Sequence, residues 1–421
     1  MRRLRRWLAA LLVAGVAVYF LAFWPMRDPH PQPAAVHGAL AIRDALIYTS
    51  PDAPPLEHAT LVARDGRITA VGTDATIPPG ALVLRCDHCV VTAGFWNVHV
   101  HFTQPKWDFS AWKSRNTLDA QLADMLTSRG FTTVADLGSN LRITLSLRRR
   151  IESGELLGPK IYTAGSPLYP PQAIPYYLRD ALPFYVLWFF DDPDTPEQAA
   201  KEAEKNFAQG ADLVKLFTGS YVARGHVVPM PEPVARAAVE VGHRHSELVF
   251  SHPSDLAGTR VAIASGVDVL AHAPDTTEGV DRALLAEMVS RHMAMVPTLK
   301  MFATTVSTKP SYLDPIYAEV RQFHELGGQL MFGTDVGYMA DYSTDGEFSA
   351  LAKCGLNAMD ILRMLTTAPA ERFGVAAEKG TLAPGKSADF VVLAEDPAQD
   401  VAAFARVRAT VRRGRLIFTK P

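Results

Sequence analysis

Six side chains in this chain have the types and spacing to do chemistry together: His99, His101, Lys215, His252, His272 and Asp335. His99-Val100-His101 closes an apolar run. In a strand, residues i and i+2 point the same way, roughly 6.5 Å apart, so both imidazoles can reach one ion. Lys215 lies inside DLVKLFT (212–218), where a cation is costly to bury unless its charge is removed or paired. Each residue taken singly has a plainer reading. The pair could be two loop histidines, the lysine a snorkelling core residue, His252 and His272 satisfied core histidines, and Asp335 a helix cap. Six such residues, spread over five separate apolar runs, point instead to one shared site.

The runs that must position them number eight: VVTAGFWNV (around 91–99), TTVADLG (132–138), KIYTAG (160–165), DLVKLFT (212–218), LVFSH (248–252), VDVLAH (267–272), AMVPT (294–298) and QLMFGTD (329–335). Amphipathic stretches of helical length, such as Pro196 to Gln209 and Pro231 to His243, separate several of them. This alternation predicts an α/β fold, a TIM-type (β/α)8 barrel over 91–378, with functional residues at the C-terminal strand ends. The flanks read differently. Ala39 to Tyr48 and Ala59 to Val71, broken at Asp65-Gly66, are strand-like, as are Ser387 to Leu393 and Val407 to Phe418, the last turning at Arg413-Gly414. Residues 38–90 and 379–421 are therefore expected to form one small β-sandwich domain built from both termini.

The N-terminus adds a third part. Arg2, Arg3, Arg5 and Arg6 precede the uncharged run WLAALLVAGVAVYFLAFW (7–24). This reads as an N-terminal transmembrane helix within residues 1–24, a lipid-bilayer anchor that leaves the rest of the chain outside the cytoplasm. A cleaved signal peptide, giving a secreted protein, is the alternative. Residues 25–37, PMRDPHPQPAAVH, read as a Pro-rich, semi-rigid linker. With Lys+Arg at 42 and Asp+Glu at 44 there is no basic excess, which argues against a nucleic-acid partner. Three cysteines cannot make a disulfide framework; Cys86 and Cys89 are either a local disulfide or two plain thiols.

The residues at the strand ends resemble those of the amidohydrolase superfamily: HxH after strand one, Lys after strand four, His after strands five and six, Asp after strand eight. The phrases VTAGFWNVHVHF, ADLVKLFTG, GVDVLAH, FGTDVG and TTAPAERFG…GTLAPGKSADFVVL are similar to its imidazolonepropionase-like and membrane-associated dipeptidase-like (Xaa-Pro and Xaa-Arg) branch. The resemblance implies two divalent metal ions. His99, His101 and Asp335 would hold the more buried one, and His252 and His272 the more exposed one. Lys215 would be N-carboxylated and bridge the pair. Zinc is the first expectation, although such nitrogen and oxygen ligands also accept iron, manganese or cobalt. It further implies hydrolysis of a carbon–nitrogen bond in a small-molecule substrate: amide, cyclic amide or short peptide. A metal-bridging hydroxide would attack the carbonyl, with Asp335 as general base and then acid. Lactone or ester hydrolysis at the same site, or a catalytically inactive membrane-tethered binding protein, are the alternatives. Tyr221, six residues beyond Lys215, is the candidate oxyanion donor or a packed tyrosine. Arg224 and His226 are candidates for binding a substrate carboxylate or a solvated loop face.

Three departures from the family stand out. Ala135 occupies the place before Asp136 where relatives usually carry Arg, leaving Asp136 a structural reading. Ser251-His252-Pro253 replaces the usual His-Ala. The stretch SPLYPPQAIPYYLRDALPFYVLWFFDD (166–192) is aromatic and proline-rich in place of a Gly-rich loop. It suits a lid over the substrate, a patch on the membrane, or a contact in a homo-oligomer.

Overall fold

Two tight turns organise the flanking sheet. Asp65 and Gly66 both take left-handed backbone, φ 51° and 83°, as do Arg413 and Gly414, φ 50° and 71°. Two consecutive left-handed residues suit the twist of a two-residue hairpin, so each pair reverses the chain where the sequence predicted. The strands of this sheet are β1 (Ala39–Ile47), β2 (Leu56–Arg64), β3 (Arg67–Gly72), β4 (Leu82–Arg85) and β5 (Val90–Ala93) from the N-terminal side.

Eight short parallel strands follow or are interleaved with one hairpin: β6 (Phe95–Val100), β7 (Phe131–Asp136), β8 (Lys160–Thr163), β9 (Val214–Phe217), the hairpin β10 (Gly219–Ala223) and β11 (His226–Pro229), then β12 (Val249–His252), β13 (Val269–Leu270), β14 (Ala294–Met295) and β15 (Gln329–Leu330). The chain ends with β16 (Phe390–Leu393), β17 (Val407–Arg412) and β18 (Arg415–Thr419). This computed structural model describes residues 29–85, 88–182, 187 and 190–420, with isolated positions 7, 12, 13 and 15. The expected anchor, 7–24, and Cys86 fall outside the described residues, apart from those isolated positions. Among the described residues no helix is long and apolar enough to cross a membrane. Cys89 is disulfide-bonded, and Cys354 is a buried free thiol.

The flanking strands pair in the order β18-β17-β16-β5-β1-β2-β3, with β4 beside β1. The expected sandwich of two layers is therefore one continuous sheet. Register shifts around Asp44, whose φ is 61°, bend β1. Curling brings Arg67 at one edge to bridge Ser387 just before β16. A single apolar cluster, including Ile42, Leu61, Ile68, Val91, Phe390 and Val411, then fills the inside.

The parallel strands form a three-stranded sheet, β6-β7-β8, and a five-stranded one, β15-β14-β13-β12-β9. The expected single closed ladder is not what the pairing gives. The gaps are crossed instead by individual backbone hydrogen bonds. Leu168 N donates to Lys215 O and Phe217 N to Leu168 O, both at 2.9 Å; Val98 N donates to Phe332 O and Asp335 N to His99 O, also at 2.9 Å. Side chains from all eight strands or their ends, Val98, Ala135, Ala164, Leu213, Phe250 and Met331 among them, pack as one interior cluster. Phe373, from the turn after the helix Thr367–Arg372, packs against its Trp96 and Tyr162 members.

The expected first strand divides in two. Val90–Ala93 pairs with β1 and β16, whereas Phe95–Val100 pairs with β7. Gly94 sits at the division, and a Cβ there would lie 2.3 Å from Thr132 Oγ1. Only glycine lets the chain cross from one sheet to the other at that approach. The linker is also not a free spacer in its described part. Arg148 Nη1 donates to Pro29 O at 3.2 Å, Ala34 N donates to Glu152 O at 2.7 Å, and Arg413 Nη1 donates to Ala34 O at 2.9 Å. Gly94→Val should destabilise the fold by about 1–3 kcal/mol through overpacking, read as a lower thermal midpoint. An unchanged midpoint would show that Thr132 moves aside at no cost.

Candidate metal centre

The six residues singled out from the sequence come together at the C-terminal ends of the parallel strands. His99 lies in β6 and His101 just past it, Lys215 is in β9, His252 closes β12, His272 follows β13 and Asp335 follows β15. The His99 and His101 ring centroids are 5.2 Å apart, His99 and His272 4.5 Å, and His252 and His272 4.4 Å. His99 and His101 Nε2 stand 3.4 and 3.0 Å from Asp335 Oδ1.

Backbone carbonyls decide what those atoms offer. His99 Nδ1 is 2.8 Å from Ala271 O, and His101 Nδ1 is 2.8 Å from Gly138 O. A carbonyl oxygen only accepts, so both Nδ1 atoms carry the proton and both Nε2 atoms present lone pairs. His272 is held likewise. Its Nδ1 is 2.7 Å from Thr298 Oγ1, and that hydroxyl donates onward to Pro297 O at 2.8 Å. Thr298 must therefore accept from His272, which turns the third Nε2 lone pair free as well. Asp335 Oδ1 is buried and has no hydrogen-bond donor.

With both imidazoles neutral, lone pairs thus converge on a carboxylate oxygen with no proton between them. Electrostatically the arrangement is unfavourable unless a cation sits at the convergence, and two imidazoles with one carboxylate are a donor set that suits a divalent metal. His99, His101 and Asp335 have ligand atoms within 4.8 Å of one another. The titration behaviour agrees. Burial, reinforced by the Lys215 charge, holds His99 and His252 well below the usual imidazole range. Burial also lowers His272, with its histidine neighbours adding to the effect. For His101, burial is outweighed by Asp335 and Asp136, which together raise it. At that spot the site draws in positive charge, as a proton when no ion supplies it.

Lys215 is 2% exposed. Burial pushes its amine down to about 7, partly offset by the Asp335 carboxylate. Its nitrogen is 5.5 Å from the Phe217 ring centre, and that ring stacks on His252 at 4.8 Å and 16°. Phe217 in turn packs on Tyr169 at 4.6 Å, which brings the aromatic stretch 166–192 over the strand ends. Its helix Tyr176–Ala181 places Tyr177 5.6 Å from Tyr338, three residues past Asp335. Of the three readings of that stretch, its described part supports a cover over the site.

The other predicted residues are placed differently. Tyr221 lies in β10, and its hydroxyl donates to Asp275 Oδ1 at 3.0 Å and bonds Thr276 Oγ1 at 2.8 Å. Its proton is committed to Asp275, so an oxyanion role requires it to leave that bond. Arg224 and His226 are exposed at the end of the β10–β11 hairpin, and the structure does not join them to the six.

Two supporting residues, Thr298 and Glu347, were missed, and a third, Asp136, was read only as structural. Thr298 holds His272 from left-handed backbone (φ 50°), a strained setting for a β-branched residue. It is the polar residue ending the seventh strand run, so the rule that selected the other six could have found it. Glu347 is buried and accepts from Leu299 N and Lys300 N at 3.0 and 2.7 Å, which fixes the turn carrying Thr298. Asp136 accepts from the Ser139, Thr144 and Thr163 hydroxyls, and so shapes the loop whose Gly138 carbonyl orients His101. Its structural reading becomes a positioning one.

Comparison with known proteins adds to this geometry. The chain matches the description "Amidohydrolase family" over residues 90–417. It is 23% identical to the ochratoxinase of Aspergillus niger, covering 88% of this chain and 85% of that protein. Among solved structures, a prolidase complexed with N-methylphosphonate-L-proline superposes with TM-score 0.76 at 23% identity, covering 91% of this chain and 100% of the other. A Xaa-Pro dipeptidase with bound methionine gives TM-score 0.76 at 21% identity, with coverage of 91% and 100%. The converging histidines and the match across most of the sequence lead to one conclusion: this chain belongs to the amidohydrolase family, enzymes that hydrolyse carbon–nitrogen bonds.

Proposed function

We propose that the protein hydrolyses the amide bond of a small molecule, an N-acyl amino acid, cyclic amide or short peptide, at a two-metal centre. The observation that carries this reading is the convergence of the His99 and His101 Nε2 atoms on the buried Oδ1 of Asp335. The names of the relatives, prolidase, Xaa-Pro dipeptidase and ochratoxinase, support small substrates. We read the two parallel sheets, joined across both gaps by backbone hydrogen bonds, as one (β/α)8 barrel with this centre at its mouth.

His99, His101 and Asp335 would hold one ion, zinc by preference, and His252 and His272 the other. Bound there, two divalent ions polarise a carbonyl and lower the pKa of a water toward neutrality. Lys215, once carboxylated, would supply negative charge to balance the two cations. Its buried amine attacks carbon dioxide, a nitrogen–carbon bond forms, one proton leaves, and the product is an anionic carbamate. Asp335, held by its N–H to His99 O, accepts the proton of the attacking water and returns it to the leaving nitrogen. The aromatic segment around Tyr169 and Tyr177 limits water access and gives the substrate an apolar wall. The arginine-flanked run 7–24 tethers the protein to a bilayer with the catalytic part on the non-cytoplasmic side.

Lys215→Ala should lower turnover by at least about a hundredfold and reduce bound metal toward one ion per chain. Turnover at the wild-type level would remove Lys215 from the centre. A chelator should inactivate the enzyme and zinc restore it, assayed on a panel of dipeptides, N-acyl amino acids and lactones. Preference for lactones would overturn the amide assignment. Thr298→Val removes the acceptor of His272 Nδ1 and should weaken metal binding by about 10–100-fold, measured by competition with a chromogenic chelator. Alkaline carbonate should leave the full chain in the membrane fraction, and recovery in the soluble fraction would refute the tether.

A further inference from the structure

A second concavity lies at the opposite end of the strands. A cavity of about 310 Å³ opens between Ala34–Val36, the end of the helix Leu141–Glu152 and the β17–β18 hairpin. Gly158, two residues before β8 begins, lines it, which sets it at the N-terminal strand ends, away from the metal ligands.

Its wall carries three guanidiniums, Arg412, Arg413 and Arg415, against one carboxylate, Glu152. Arg412 and Glu152 pair with each other, both deeply buried. Each keeps one unpartnered atom, Nε of Arg412 and Oε2 of Glu152. Among the described residues, the side chains of the other two arginines hydrogen-bond only neutral carbonyls, while the Arg413 backbone N–H donates to Asp389 Oδ1 at 2.7 Å. Arg413 Nη1 donates to Ala34 O at 2.9 Å, and Arg415 Nη1 donates to Gly154 O at 2.7 Å. A carbonyl fixes a guanidinium in place without neutralising it, so both keep full charge and spare N–H donors. Burial lowers Arg415 from its ordinary range, and the neighbouring Arg115 and Arg412 cations act in the same direction against Asp119. The cavity has walls, fixed donors and surplus positive charge.

We propose that this cavity is an anion site that takes a phosphate group, gripped by the forks of Arg413 and Arg415. Two planar guanidiniums lining one cavity, each anchored by a carbonyl, suit a tetrahedral oxyanion, and partial burial protects the contact from screening. The same chemistry is presented by free phosphate and by the headgroup of an anionic phospholipid. Neither arginine belongs to the metal centre, so occupancy is separable from hydrolysis.

The test uses the full chain in a zwitterionic detergent at low ionic strength. Inorganic phosphate and short-chain phosphatidylglycerol are titrated separately, with short-chain phosphatidylcholine as control, and read by calorimetry and by thermal midpoint. Saturable binding of phosphate alone assigns the site to a small soluble anion, and binding of phosphatidylglycerol alone assigns it to a headgroup; either supports the site. Arg413→Gln with Arg415→Gln should weaken that binding by at least about tenfold with hydrolysis unchanged. Because these arginines also brace Ala34 and Gly154, Ser153→Glu is the second variant. It keeps every arginine, sets a carboxylate on the cavity wall, and should weaken binding as much. No saturable response to either anion, an equal response to phosphatidylcholine, or wild-type affinity in Ser153→Glu would overturn the proposal.

Discussion

The molecule is organised around an electrostatic conflict that its own backbone creates. Two strand-end carbonyls, Ala271 O and Gly138 O, each take the one proton that a neutral imidazole has to give. The opposite nitrogens of His99 and His101 are thereby left as acceptors, facing another acceptor, Asp335 Oδ1. No rotation of these side chains relieves the conflict while the carbonyls stay where they are. A cation does. The rest of the structure keeps the carbonyls in place: the parallel strands, the Asp136 hydroxyl cluster that shapes the Gly138 loop, and the Glu347 carboxylate beneath Thr298.

This division of labour explains why the six converging residues were legible in the sequence and the roles of their supports were not. A histidine or lysine that closes an apolar run is conspicuous, and parallel strands deliver such residues to one rim. The hairpins at Asp65-Gly66 and Arg413-Gly414 were equally legible, since a turn needing two left-handed residues advertises itself locally. Glu347 and Asp136 give no such signal. Glu347 lies on a helix more than ten residues past Asp335, and nothing local tells that it reaches back to Leu299 and Lys300.

Strand extent was misread for related reasons. QLMFGTD is apolar enough to pair throughout, yet only Gln329–Leu330 joins the ladder. Beyond it, Phe332 N bonds Met364 O, and Gly333 packs so closely that a Cβ would lie 2.3 Å from Val296. The chain leaves its neighbour in order to cross to His99 and Asp335. Likewise the docking of residues 29–36 depends on Arg148 and Arg413, more than a hundred positions away, and a proline-rich stretch by itself says only that it is extended.

Gly94 has a consequence for how the protein holds together. Val90–Ala93 is laced into the curled flanking sheet, and five residues past the glycine stands His99. The two bodies therefore share one continuous length of extended backbone with no slack between them. Whatever loosens the flanking sheet pulls on the first imidazole directly. Loss of the terminal strands would then disturb the candidate centre itself, and the flanking sheet acts as the frame that holds it in place.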